Sequence, residues 1–150
     1  MFRQQIGSCF LAVFVMVLFV SPSSQCFAGK GGTERPFKGV AKGTITNFSP
    51  PNIEAEYTGN ATHLGRFTRF EKATLGPNGA ASGTIDFVAA NGDELHVTFT
   101  GSFVSPTTIT GTYTIDGGTG RFEGATGTAI FEANTDFQHV DVTFDGTISY

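Results

Sequence analysis

The chain has 150 residues, with Lys+Arg 9, Asp+Glu 13 and a formal net charge of -4. That is one domain's worth of sequence, without room for two catalytic domains. So few basic side chains argue against affinity won by neutralising phosphates, which excludes nucleic acid and anionic membrane surfaces from the expected partners.

The first segment reads as a leader and not as part of the fold. Arg3 sits in a short polar start, Phe10 to Val20 is an unbroken apolar run, and Ser21-Pro22-Ser23-Ser24-Gln25 ends it. Cys26-Phe27-Ala28 follows, with small residues where a signal peptidase reads, so residues 1–28 are expected to be a secretory signal cleaved before Gly29. A membrane anchor is the alternative, but a helix over the apolar run rises only about 16 Å against a hydrocarbon core of about 30 Å. Lipidation at Cys26 is a second alternative, and Ser23-Ser24-Gln25 lacks the Leu and small residue that such a site carries. Cleavage after Ala28 removes both Cys9 and Cys26, leaving no disulfide, thiolate nucleophile or Cys metal ligand. The expected location is secreted or periplasmic, with no integral membrane anchor in the mature form.

Gly29 to Pro36 is Gly-rich and charged and reads as a flexible lead-in. After it a period of two dominates, and no stretch repeats apolar residues at helical spacing. Eight strands are predicted: Phe37 to Phe48, Asn52 to Thr58, Ala61 to Leu75, Ala81 to Ala89, Asp93 to Val104, Thr107 to Asp116, Arg121 to Ala133 and Phe137 to Ser149. Turn-forming residues fill the breaks, among them Pro50-Pro51, Gly76-Pro77-Asn78-Gly79, Asn91-Gly92, Ser105-Pro106 and Gly117-Gly118-Thr119-Gly120.

The alternation is clearest where Leu95, Val97, Phe99, Gly101 and Phe103 share one face and His96, Thr98, Thr100 and Ser102 the other. Ile109, Gly111, Tyr113 and Ile115 repeat the pattern, as do Val140, Val142, Phe144, Gly146 and Ile148. One face is apolar and the other is Thr and acid, so the sheet is wet on one side. A two-residue turn at Asn91-Gly92 would oppose Phe87 with His96 and mix the faces. A three-residue loop of Ala90, Asn91 and Gly92, with Gly92 left-handed, opposes Phe87 with Leu95 and Ile85 with Val97 and matches them.

Eight antiparallel strands leave two exposed edges unless the sheet closes. The expected fold is therefore all-β, a small eight-stranded antiparallel barrel over residues 37–150, with a two-sheet sandwich as the alternative. Glycines on the apolar face, such as Gly101, Gly111 and Gly146, suit the bends that a small barrel needs. Arg69-Phe70-Glu71-Lys72-Ala73-Thr74 also echoes Arg121-Phe122-Glu123-Gly124-Ala125-Thr126, read either as shared hairpin grammar or as a duplicated unit.

The run Gly117-Gly118-Thr119-Gly120-Arg121-Phe122-Glu123-Gly124-Ala125-Thr126-Gly127 resembles the glycine-rich hairpin of allene oxide cyclase-like and dirigent-like β-barrels. Gly59 to Thr68, with Ala90-Asn91-Gly92-Asp93 and that hairpin, is similar to a group of secreted bacterial β-barrel proteins that carry no established activity. The second likeness spans most of the mature chain and the first mainly its last forty or so residues. Together they imply an eight-stranded barrel of the allene oxide cyclase, dirigent or calycin-like kind. They do not carry the cyclase chemistry, because the catalytic positions of that family do not map onto this chain.

A ligand site is expected among His63, Phe67, Arg69, Glu71, Phe99, Tyr113 and Glu123. His63, Arg69 and Glu71 share parity with Phe67 on one strand and so could line a barrel mouth beside an apolar wall. The alternative is a surface row along the outer face. His96 and His139 read as ordinary partners of Asp and Thr on the wet face. No cofactor and no metal site is expected: no His pair has metal-ligand spacing, no Gly-x-Ser-x-Gly elbow exists, and a strand rather than a helix follows the Gly-rich run. Asn47-Phe48-Ser49 and Asn60-Ala61-Thr62 are sequons that matter only in a glycosylating host. The expectation is a monomer binding a small apolar or amphipathic ligand at one barrel end. Its rivals are a cyclase or isomerase in which Glu71, Glu123 or His63 protonates or orients the substrate, and a structural or surface-interaction module using the Thr-rich face.

Overall fold

A computed structural model describes residues 32–150. The expected signal, its cleavage point, both cysteines and the start of the lead-in lie outside the described residues. The rest is strand after strand: β1 (Arg35–Ser49), β2 (Asn52–Ala61), β3 (Gly65–Leu75), β4 (Ala80–Ala89), β5 (Glu94–Ser105), β6 (Thr108–Gly118), β7 (Thr126–Thr135) and β8 (His139–Ser149). Each pairs antiparallel with its sequence neighbour, and β1 closes onto β8, with Phe37 opposite Gly146 and Gly43 opposite Val140. The barrel has no free edge, which sets the sandwich aside.

The period of two places the side chains as expected. At the β4–β5 turn Phe87 pairs with Leu95 and Ile85 with Val97, the loop is Ala90, Asn91 and Gly92, and Gly92 takes a φ of 88°. Several strand limits differ; β2 runs on to Ala61 instead of ending at Thr58, and β8 starts at His139 and not at Phe137. β1 starts at Arg35, whose partner is Ile148, so two residues of the expected lead-in are strand. β3 starts at Gly65 and not at Ala61, because Thr62, His63 and Leu64 form the turn, His63 with a φ of 66°. β7 starts at Thr126 and not at Arg121, because Gly120 and Gly124 are left-handed, which no extended strand tolerates. Gly120–Phe122 is instead a short 3-10 turn that tucks Phe122 fully into that end of the barrel.

The interior divides into two halves. Toward the end that holds Phe122 and Leu64, the rings of Phe37, Phe67, Phe87 and Phe144 meet edge-on or tilted, with centroids 4.9 Å apart for Phe37–Phe144 and 5.1 Å for Phe67–Phe87. Leu95, Ile85, Val97 and Ile148 fill the space around them. This half is packed solid, as small barrels are. Toward the other end the inward residues shrink or stand apart, as Ala55, Ala73, Ala81 and Ala133, and the interior opens.

The outer face carries Thr and charge in register across strands. Lys38 meets its register partner Asp145 at 2.8 Å, Lys42 meets Asp141 at 3.2 Å, and His96 Nδ1 meets Asp86 at 2.7 Å. Apolar inside and charged outside is the reverse of a barrel whose flank faces lipid. Because the ring cluster is the main packed body, Phe144→Ala is expected to lower the unfolding free energy by about 3–5 kcal/mol in urea titration. Ile130→Ala on the flank, 69% exposed, is expected to change it by no more than about 0.5 kcal/mol.

Candidate functional site

Strand β3 turns Phe67, Arg69 and Glu71 inward, β2 adds Tyr57 from one side, and β6 brings Tyr113 from across the barrel. Arg69 is 3% exposed, and its Nη2 makes an ion pair with Glu71 Oε2. Its Nη1 donates to the Tyr113 hydroxyl at 2.9 Å. The guanidinium also lies over the Tyr57 ring, 4.4 Å from its centroid, and within 5.5 Å of the Phe87 and Tyr113 centroids. Tyr57 can lie flat in this way because the wall behind it is Gly43, where a Cβ would run into the ring.

A bare guanidinium in such a place would be very costly, so the partners decide the charge state. Burial pulls the Arg69 pKa down, but Tyr113, Glu71 and Tyr57 outweigh it and hold it above the usual value, so the group stays a cation. Burial pushes Tyr113 up to about 12, and Tyr57 moves the same way, chiefly by burial and then by the neighbouring Glu71 carboxylate. Both hydroxyls are therefore neutral at neutral pH. The floor as a whole carries one positive and one negative charge. One donor is left over: Arg69 Nε is buried without a hydrogen-bond partner, alone in this among the side-chain polar atoms of the described residues.

Above this floor lies the open half of the barrel. The cavity offers about 70 Å³ to the centres of water-sized molecules and about 680 Å³ of atom-free space in all, its open mouth included. That is room for several waters. Its walls are Ile45, Ile53, Phe99, Ile109, Phe131 and Val142, with Leu75, Phe103 and Phe137 at the mouth. Tyr113 and Phe131 stack at 4.5 Å and so tie the wall to the floor. Phe137 has a φ of 67°, held by the Thr135 hydroxyl, which accepts from the Phe137 N–H at 2.9 Å. Asp136 beside it accepts from the N–H groups of His139 and Gln138, bonds that pull its carboxyl down to about 2.

No family model and no curated relative matches this sequence. Solved structures do match its shape. The pterocarpan synthase dirigent protein PsPTS1 superposes with a TM-score of 0.54 at 15% identity, covering 80% of this chain and 97% of its own. The pterocarpan synthase dirigent protein GePTS1 gives 0.54 and 15%, covering 90% and 99%. The fold is a dirigent-like barrel.

Within this dirigent-like barrel the expected site residues separate. Arg69, Glu71 and Phe99 line the cavity and Tyr113 joins them through its bond to Arg69, so the outer-row alternative for Arg69 and Glu71 does not hold. Phe67 is inward but lies in the packed half, below the floor. His63 is in the β2–β3 turn at the opposite end, its Nε2 3.1 Å from the Pro36 carbonyl. The shared parity with Phe67 that suggested otherwise ends where the strand begins, at Gly65. Glu123 is exposed at the same far end, just after the 3-10 turn, so it does not converge with Glu71. His96 and His139 lie on the outer face beside Asp86 and Asp136.

Sequence reasoning missed Tyr57 and Phe131, although each shares parity with apolar neighbours, Ile53 and Ala55 in one case and Ala129 and Ala133 in the other. It also missed Phe137, expected as the first residue of the last strand but found in the turn before it, where parity does not set its direction. Among the described residues no three His, Cys, Asp or Glu side chains gather as a metal site would need.

The ion pair yields two expected outcomes. Arg69→Met should cost about 3–5 kcal/mol by leaving Glu71 buried alone, and adding Glu71→Leu should restore most of it, read as urea midpoints. An unfolded tyrosine ionises at about pH 10. With the folded value raised, the stabilising contribution of Tyr113 is full below that pH and is lost as pH rises through about 12. The Tyr113→Phe variant, weaker at neutral pH through its lost hydrogen bond, should show a flatter fall in stability over that window.

Proposed function

We propose that the protein is an exported barrel that binds a small amphipathic molecule end-on, its apolar body in the funnel and an uncharged polar group at the Arg69–Glu71 floor. The observation that carries this reading is an ion pair buried at the bottom of an apolar cavity, with Arg69 Nε lacking an acceptor. A few fixed polar groups at the end of an apolar pocket are how small-molecule sites orient their ligands. An oxygen on the ligand supplies the acceptor that Arg69 Nε lacks. Charge on the ligand is disfavoured, because Arg69 and Glu71 already neutralise each other and a carboxylate would face both. The leader expected at residues 1–28 supports export.

A second reading is favoured by one specific contact, a partly exposed Glu71 carboxylate next to Tyr57 in a mostly apolar cavity. Such a pair suits proton transfer of the cyclase or isomerase type. Glu71 would then act without Glu123 or His63, both of which lie at the far end.

The test is a fluorescence titration with N-phenylnaphthylamine, which is apolar and uncharged, beside its sulfonated analogue anilinonaphthalene sulfonate. Saturable one-to-one binding of the first, roughly tenfold or more weaker binding of the second, and loss of both in Ala133→Phe, which fills the cavity, are expected. Absence of saturation, or binding untouched by Ala133→Phe, contradicts the reading.

A further inference from the structure

The two ends of the barrel differ in a way that binding alone does not require. All the odd-to-even connections, β1–β2, β3–β4, β5–β6 and β7–β8, lie at the end where the cavity opens. Across residues 46–53, 74–81, 102–109 and 133–140 there is no Lys or Arg, and Asp136 is the single acid. The opposite end carries Glu34, Arg35, Arg66, Glu94, Arg121 and Glu123.

In place of charge the open end exposes apolar side chains. Phe48 is 50% exposed, Val104 63% and Phe137 49%, and Pro50, Pro51, Pro77 and Pro106 are exposed at the loop tips. Phe137 stacks on Phe103 at 6.4 Å, and both belong at once to the mouth of the cavity and to an outer groove with Leu75, Val104 and Pro106. The apolar surface therefore runs without interruption from the rim into the binding cavity. Phe137 is kept there at a φ of 67°, a left-handed conformation that is unfavourable for a bulky residue.

An uncharged apolar collar around the entrance of an apolar pocket is the shape of a protein that collects its ligand from a lipid phase. Charge complementarity chooses the lipid. A chain of formal net charge -4, with only Asp136 among these loops, is repelled by anionic headgroups and has no cation to hold them. We propose that the open end docks on a zwitterionic lipid surface, dipping Phe48, Val104 and Phe137 below the headgroups so that the amphipathic ligand passes from the bilayer into the barrel without crossing water. This rests on the ligand-binding reading above.

The test is flotation of the purified protein with vesicles of phosphatidylcholine alone and of phosphatidylcholine mixed with phosphatidylserine. Two variants accompany it. Phe48→Ser/Val104→Ser alters the rim but no wall of the cavity, and Val40→Ser/Ile130→Ser removes equally exposed apolar residues from the flank. Binding to phosphatidylcholine is expected, no stronger with phosphatidylserine, at least roughly tenfold weaker in the rim variant and unchanged in the flank variant. N-phenylnaphthylamine binding in vesicle-free buffer should stay intact in the rim variant, which separates failure of docking from failure of ligand binding. The proposal is overturned by absence of vesicle binding, by preference for phosphatidylserine, or by equal loss in both variants. Concentration-dependent dimerisation that the rim variant abolishes, without vesicle binding, would assign the collar to a second copy and overturn it as well.

Discussion

A guanidinium held almost wholly out of water, halfway down a barrel, sets the terms for the rest of this structure. Such a charge persists only with a counter-charge and satisfied hydrogen bonds around it. The carboxylate two residues along β3 supplies the first, since Arg69 and Glu71 point the same way on a strand. Tyr113 from β6 supplies an acceptor, and the faces of Tyr57, Phe87 and Tyr113 supply the rest. Those partners come from four different strands, so the pair forms only when the sheet has closed in its native register. A slip of one residue in β3 would send both charges to the outer face.

The pair also partitions the interior. Below it aromatic rings pack against one another and against the plug made by Phe122 and Leu64, and this half holds the barrel together. Above it alanines on several strands stand between the more widely spaced rings of Phe99 and Phe131, space opens, and the loops lose their charge. Stability and binding are thus assigned to different ends of one small barrel. At the polar floor close ring packing gives way to a pocket, with Tyr113, Phe131 and Phe99 carrying ring contacts up one wall only.

Much of the fold was legible in the sequence because a half-wet sheet writes its faces as alternation. The eight strands, the β4–β5 register and the closure all follow from which residues must be dry. The errors fall where the backbone leaves the extended region. The left-handed His63 and Gly124 interrupt runs that continue by parity, so parity extends the strands over Thr62 to Leu64 and Arg121 to Ala125 and puts His63 and Glu123 near a cavity they do not reach. Within the site, Arg69 and Glu71 could be proposed from their parity with Phe67, but parity alone could not decide between inside and outside for a charged pair. What decides it is the across-barrel contact with Tyr113, which no local pattern carries. Phe137 was invisible for the same reason, since a turn residue's direction depends on the hydrogen bonds of Thr135 and Asp136 and not on periodicity.

The central claim is that the Arg69–Glu71 floor receives the polar end of a ligand whose body lies in the open half. The most direct measurement is the NMR signal of the Arg69 Nε–H group, followed together with side-chain methyl signals while 2-acetylnaphthalene, an uncharged naphthalene whose ketone oxygen can accept from Nε–H, is added. The expected result is that Arg69 Nε–H and the methyls of Ile109 and Val142 shift along one saturating curve, while those of Leu95 and Val97 in the packed half stay still. A saturating response confined to the outer face or to the packed half, with Arg69 Nε–H unmoved, would contradict the account.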